Sequence, residues 1–262
     1  MYDIRLLRPV KAGPKVRLGK LSDGGYVLLR EQIAGTKILL SFGVATDWSF
    51  EEHFARENTS VEILMYDYST SLPMIGATMI VKLLKFDFPK AGHYLRAATR
   101  YLSFISPGRR ARLTGKYLAL DDTAQTVRFD TIMLGLVRSG ISPGSIFVKL
   151  DIEGAEYRVL ESIIRHSEFI NGLAIEFHEL DPMGSRLNEL MHCLKKNFHV
   201  AHVHGNNYSP LISSTDLPVA LEVTFVHKRM VGEELSPDDT VYPIPGLDYP
   251  NHPDRIDYPL HF

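Results

Sequence analysis

The chain has a single cysteine, Cys193, among 262 residues. A disulfide framework and a cysteine-built metal site are thereby excluded, and a reducing compartment is indicated. Charge of one sign is also missing. Lys and Arg number 29 against 31 Asp and Glu, a formal net charge of -2, so no global basic field draws in nucleic acid or anionic lipid. No apolar run approaches the length of a membrane span. The opening MYDIRLLRPVKAG carries no apolar core of signal-peptide length. Internal repeats and low-complexity tracts are absent. These absences predict a soluble cytoplasmic protein with no membrane partner.

What is present is an apolar fraction of 45%, enough for a sizeable core, and an alternation of short β-branched runs with helical periodicity. KILLSF, VEILMYD, KYLAL, SIFVKLD, GLAIEFHEL, HVAHVHG and ALEVTFVHK read as strands. DWSFEEHFAREN, RFDTIMLGLVRSG, AEYRVLESIIRH and SRLNELMHCLKKN read as intervening helices. This alternation predicts an α/β fold with a mostly parallel seven-stranded sheet covered on both faces. The last two strands lack a helix between them and are expected to form an antiparallel hairpin at one edge. Residues 1–36 read as a lead-in segment and 37–235 as the domain, with a helical insertion at about 69–116. The Pro-rich stretch 236–262 reads as an extended tail lying over the domain.

In an open parallel sheet the ligand sits beyond the carboxyl ends of the strands, where strand order reverses. Polar residues gather at those ends in this sequence: Ser41 to Asp47, Asp67, Asp121 and Asp122, Asp151 and Glu153, His178, and His204 with Asn206 and Asn207. FVKLDIEGAEYRVLESII is the most telling stretch, because a buried strand runs abruptly into two carboxylates, Asp151 and Glu153. Burying a carboxylate is costly unless it is paired, so these acids are either solvated at a strand edge or face a ligand. Gly43 permits a tight turn ahead of a helix N-terminus. Ala45 and Trp48 stand where a phosphate-binding G-x-G-x-x-G loop needs glycine, which argues against a pyrophosphate cofactor. Gly43, Asp67 and an acid at the third strand's end together favour a nucleoside-binding site.

SFGVATDWSFE, YDYSTSLP, VKLDIEGAEYRVLESI, AIEFH, HVHGNN and LEVTFVHK resemble the FkbM-type methyltransferases. The resemblance runs in order from DGGYVLL at Asp23 to Lys228, with LDIEGAE the most specific segment. It implies a Rossmann-like class I methyltransferase fold and S-adenosyl-L-methionine as cofactor. Ser41, Phe42, Gly43 and Val44 would then line the methionine end and Asp67 would hold the ribose hydroxyls. Asp121 or Asp122 would lie near the adenine amino group, and Asp151 beside the methyl sulfonium or the incoming nucleophile. Glu51 would orient the loop or approach the cofactor's ammonium.

The implied reaction is O-methylation of a hydroxyl on a sugar, glycan or secondary metabolite. Asp151, His178 and His204 are the candidate bases, and Glu153, Asn206 and Asn207 the candidate acceptor contacts. No metal is expected; should one be present, Asp151, His178 and His204 are its predicted ligands. The expected partner is a small-molecule or glycan acceptor and not nucleic acid, since the basic stretch RRARLTGK reads as a solvated loop. A homodimer is left open. The rival readings are a nicotinamide-dependent oxidoreductase, a non-catalytic domain that kept the fold, and a metal-dependent hydrolase built around HVHGNN.

Overall fold

The runs ILLSF and IFVKL are buried at every position, as central strands covered on both faces must be. A computed structural model describes residues 1–105 and 110–262. The chain opens with the antiparallel pair β1 (Lys15–Leu18) and β2 (Tyr26–Leu29), then α1 (Arg30–Gly35). It continues through β3 (Ile38–Phe42), α2 (Ser49–Glu57), β4 (Glu62–Tyr66), α3 (Leu72–Leu84), α4 (Phe88–Phe104) and β5 (Ala111–Thr114). A short parallel pair, β6 (Tyr117–Ala119) and β7 (Thr126–Arg128), leads into α5 (Phe129–Arg138), β8 (Ile146–Leu150) and α6 (Glu156–Arg165). The last third contains β9 (Ile170–Phe177), α7 (Leu180–Leu194), β10 (Phe198–Gly205), the small pair β11 (Leu211–Ile212) and β12 (Leu217–Pro218), β13 (Leu221–His227) and α8 (Lys228–Val231).

The central sheet has seven strands in the order β10-β13-β9-β8-β3-β4-β5. Neighbours from β9 to β5 are parallel, and β13 alone runs against both β9 and β10. The mostly parallel Rossmann-like sheet predicted from the sequence is therefore present. The expected antiparallel pairing of the last two strands is present too, but β13 enters between β9 and β10 and leaves β10 at the edge.

Two hydrophobic layers flank the sheet, and the pleat divides β3 and β8 between them. Leu40, Phe42, Val148 and Leu150 face the layer built with α5, α6 and α7. Leu39 and Phe147 face the layer built with α2 and the β1–β2 hairpin. Each such side chain contributes roughly 1.5–3 kcal/mol on burial.

The third strand of the sheet differs from the sequence reading. KYLAL forms β6, which among the described residues pairs with β7 alone, outside the main sheet. The strand beside β4 is β5, inside the stretch read as a basic loop. An edge strand tolerates and even favours charge, and Arg112 of β5 pairs with Glu62 of β4. Arg109, the first residue of that basic stretch, lies outside the described residues.

Residues 236–262 run over the surface of the sheet domain. Pro237 pairs with Val10, the tail folds on itself where Leu260 pairs with Tyr242, and a buried ion pair described below ties it to β10.

Candidate functional site

From β3 the chain proceeds to β4 and β5 on one side, then returns to β8 and β9 on the other. Strand order thus reverses between β3 and β8, and a crevice opens at their carboxyl ends. A cavity of about 540 Å³ occupies that place, walled by Gly43, Val44, Glu51, Asp67, Lys149 and Asp151 among others.

Gly43 is what lets the two loops meet. Its φ is +75°, and a Cβ there would stand 1.6 Å from the carbonyl oxygen of Asp151. Ser41 and Phe42 lie behind the cavity rather than in its wall. Phe42 stacks on Tyr66 in the core, and the Ser41 hydroxyl donates to Glu51 Oε1 at 2.5 Å.

Glu51 is 1% exposed. Its other oxygen, Oε2, has no hydrogen-bond partner among the described residues, and the residue lines the cavity. Burial pushes the Glu51 carboxyl above its usual range, opposed by the charge of Lys149 and the Ser41 hydrogen bond. An unsatisfied buried carboxylate oxygen costs about 1–3 kcal/mol or more. A cationic or donor group on a ligand would relieve it.

Asp67 ends β4 as expected and is fixed by its own loop. Its Oδ1 accepts from the backbone N–H and the hydroxyl of Ser69, and its Oδ2 accepts from the N–H of Ala45 at 2.7 Å. The carboxylate is thus oriented into the cavity wall from both flanking loops, with lone pairs in hand for a ligand's hydroxyls. Ala45, at φ 42°, turns the β3 loop so that its N–H meets Asp67.

The LDIEGAE loop is organised by its last residue. Glu156 is fully buried, and its Oε1 accepts from the N–H groups of Ile152 and Gly154. Asp151 Oδ2 accepts from Lys149 Nζ at 3.3 Å and from the Tyr26 hydroxyl at 3.1 Å. Lys149 is itself buried. Burial disfavours its charge, but Asp151 and Glu51 outweigh this and raise its pKa.

Beyond Asp151 lies a second recess of about 260 Å³, with Asp23, Glu153, Glu176, His178 and Asn206 in its wall. His178 Nδ1 lies 3.2 Å from Glu156 Oε1, and its Nε2 is 3.7 Å from both Glu153 and Glu176. Burial works against its charge, but Glu156 and Glu176 prevail and raise its pKa to about 9. Glu176 is pushed up to about 8 by burial and by the charges of Asp151 and Glu222. The two groups thus depend on each other: the charge of Glu176 holds the proton on His178, and the His178 charge opposes the rise at Glu176.

The structure brings together Gly43, Val44, Glu51, Asp67, Asp151, Glu153, His178 and Asn206. It separates others. Asp121 and Asp122 follow β6, away from the cavity, and Asp122 caps Arg128 and Thr131. Tyr117 of the same strand is the residue that reaches the cavity.

His204 is clamped on both sides, Nδ1 to Glu222 at 3.2 Å and Nε2 to Asp257 at 2.9 Å. Burial opposes its charge, but Asp257 and Glu222 raise its pKa to about 10. A doubly engaged imidazolium serves as a clamp on the tail, not as a base. Asn207 is likewise structural, holding the tail at His252 and Arg255.

The ligand set named for a metal changes accordingly. Among the described residues, atoms of Asp151, Glu153 and His178 lie within 4.8 Å of one another, and His204 is not of that group. Sequence reading missed Tyr26, Asp23 and Lys149. The VKLD stretch held a signal for Lys149, since a lysine inside an otherwise apolar central strand needs a buried partner.

No family model matches this chain. A search of curated proteins likewise finds no match. Solved structures of similar architecture exist. The rRNA methylase from Streptococcus thermophilus is 11% identical, with 76% of this chain and 93% of that chain covered at a TM-score of 0.38. A putative tRNA (m1A22) methyltransferase of Streptococcus pneumoniae, in complex with S-adenosyl-L-methionine, is 12% identical, with coverages of 78% and 71% and a TM-score of 0.35. The Methanococcus jannaschii fibrillarin pre-rRNA processing protein is 9% identical, covering 77% and 69% at 0.37. These structures carry rRNA and tRNA in their descriptions, where the sequence reading expected a small-molecule or glycan acceptor and excluded nucleic acid. That expectation is corrected: net charge alone does not exclude a nucleic-acid acceptor.

Proposed function

We propose that the chain is an S-adenosyl-L-methionine-dependent methyltransferase of the FkbM type, acting on an acceptor hydroxyl. The observation that carries this reading is Glu51, a buried carboxylate that lines the cavity at the sheet's switch point and whose Oε2 has no hydrogen-bond partner among the described residues. Such a group fits the ammonium of the cofactor's methionine end. Asp67, fixed at the end of the adjacent strand, fits the ribose hydroxyls as a two-oxygen acceptor. Gly43, where no side chain can be housed, lets a ligand approach the backbone. When bound, S-adenosyl-L-methionine supplies an activated methyl group on a sulfonium.

The protein's own part is alignment and proton handling. Asp151 stands between the cavity and the recess. Lys149 and Tyr26 both donate to its Oδ2, which fixes the carboxylate and leaves Oδ1 to receive the acceptor's proton. His178, whose pKa is raised by Glu156 and Glu176, orients the acceptor from the recess wall. Asn206 donates to Glu176 Oε1 at 2.6 Å and fixes it in the recess wall.

Calorimetric titration with S-adenosyl-L-methionine tests the assignment. One-to-one binding is expected, weakened at least about tenfold in Asp67→Ala by loss of the charge-assisted hydrogen bonds. No heat in the wild type, or equal affinity in the variant with its fold intact, would overturn it.

A further inference from the structure

The α3–α4 hairpin buries very little of itself. Of α3 only Ile75 is buried, and of α4 only Ala91 and Ala97. The turn between them is the opposite of a polar surface loop: Leu84 is 74% exposed, Phe86 79% and Phe88 62%. Ile80, Val81 and Leu83 continue the exposed apolar surface down α3. Phe86 takes a positive φ of 56°, a conformation that bulky residues avoid, and its ring stands edge-on to Phe88 at 6.3 Å. A monomer in water gains nothing by presenting these groups together.

Charge says what covers them. From Leu72 to Phe104 the cations are Lys82, Lys85, Lys90, Arg96 and Arg100, against the single acid Asp87. The hairpin is therefore at +4 in a chain of net charge -2, and the remainder stands at -6. Lys82 and Lys85 make no ion pair among the described residues.

We propose that the tip of this hairpin docks on an anionic lipid surface. Leu84, Phe86 and Phe88 enter the boundary between headgroups and acyl chains, and Lys82, Lys85 and Lys90 meet the headgroup phosphates. A convex tip with aliphatic and phenyl groups ringed by lysines has the composition of an interfacial element. A second copy fits less well, because a two-fold contact would set the lysines of one hairpin against those of the other. RNA fits the lysines, but not the exposed Leu84, Ile80 and Val81, which offer no stacking face.

No described helix is long and apolar enough to cross a membrane, so the contact is peripheral. It revises the expectation of no membrane partner, which rested on net charge and on the lack of a spanning run. The hairpin is tied to the cavity side of the domain. His93 Nε2 lies 3.2 Å from Thr46 Oγ1 in the β3–α2 loop, and Arg100 pairs with Glu52 of α2. Docking would hold the crevice near the lipid surface, but the inference does not depend on what the cavity binds.

Co-sedimentation of the full chain with vesicles tests it, using phosphatidylcholine alone and phosphatidylcholine mixed with phosphatidylglycerol. The wild type should pellet with the mixed vesicles and far less with the neutral ones. Phe86→Ser and Leu84→Ser should each lower the partition about tenfold, and Lys82→Ala or Lys85→Ala about fivefold. Circular dichroism and thermal unfolding of these surface variants should match the wild type. A wild type that stays in the supernatant with both vesicles overturns the proposal. So does a tip that binds a structured RNA through the lysines and ignores the vesicles. Self-association without vesicle binding, lost in Phe86→Ser, would assign the tip to a second copy instead.

Discussion

Gly43 and Asp151 touch backbone to backbone across the switch point: a Cβ on Gly43 would lie 1.6 Å from the Asp151 carbonyl oxygen. Ladder bonds bring the strands to this contact, with the Asp151 N–H donating to Phe42 O at 3.2 Å. The floor of the crevice is thus set by what Gly43 lacks. Gly43→Ala should cost more than about 3 kcal/mol, because it adds a steric collision to a strained φ. Urea unfolding measures this, and a loss under about 1 kcal/mol would mean that the loops relax apart at little cost.

The tail is held by charge, and its hold should depend on pH. His204 has a folded pKa of about 10 against an ordinary 6.5. A raised folded value stabilises fully below the unfolded pKa and is lost as pH rises through the folded one. His204 should therefore contribute a few kcal/mol at pH 6 that fades between about 6.5 and 10. The urea midpoint should fall across that window in the wild type and flatten in His204→Gln. Limited proteolysis should release the tail of that variant already at neutral pH.

Tyr26 links the lead-in hairpin to both recesses. Its hydroxyl donates to Asp151 at 3.1 Å and contacts Glu176 at 3.3 Å, while its ring packs edge-on against Phe50. Tyr26→Phe keeps the ring and removes the hydroxyl. Turnover should fall about tenfold or more as Asp151 loses its orientation, with cofactor affinity held within about twofold. Equal losses in both would show that the hydroxyl supports the cavity rather than the reaction.

Local signals carried most of the fold. Central strands announced themselves as apolar runs, and Asp67, Asp151 and His178 were found because each ends one. The misplaced residues depend on long-range pairing. Ala111–Thr114 looked like a solvated loop because an edge strand carries arginine on its free side. His204 looked like a base because its partner Asp257 is 53 residues away in a tail without periodicity. Asp121 and Asp122 were assigned by counting strands, and the count went astray when β6 paired outside the main sheet. Tyr26 lies 125 residues from Asp151, a distance no local pattern spans.

The role of Glu51 is tested most directly by the ligand's ammonium. S-adenosylhomocysteine carries that group, and 5′-methylthioadenosine keeps the nucleoside without it. By calorimetry the wild type should prefer S-adenosylhomocysteine by at least about tenfold, in keeping with a buried charge-assisted pair, and Glu51→Gln should erase most of that preference while binding methylthioadenosine as the wild type does. An unchanged preference in the folded variant would contradict the assignment of the cavity.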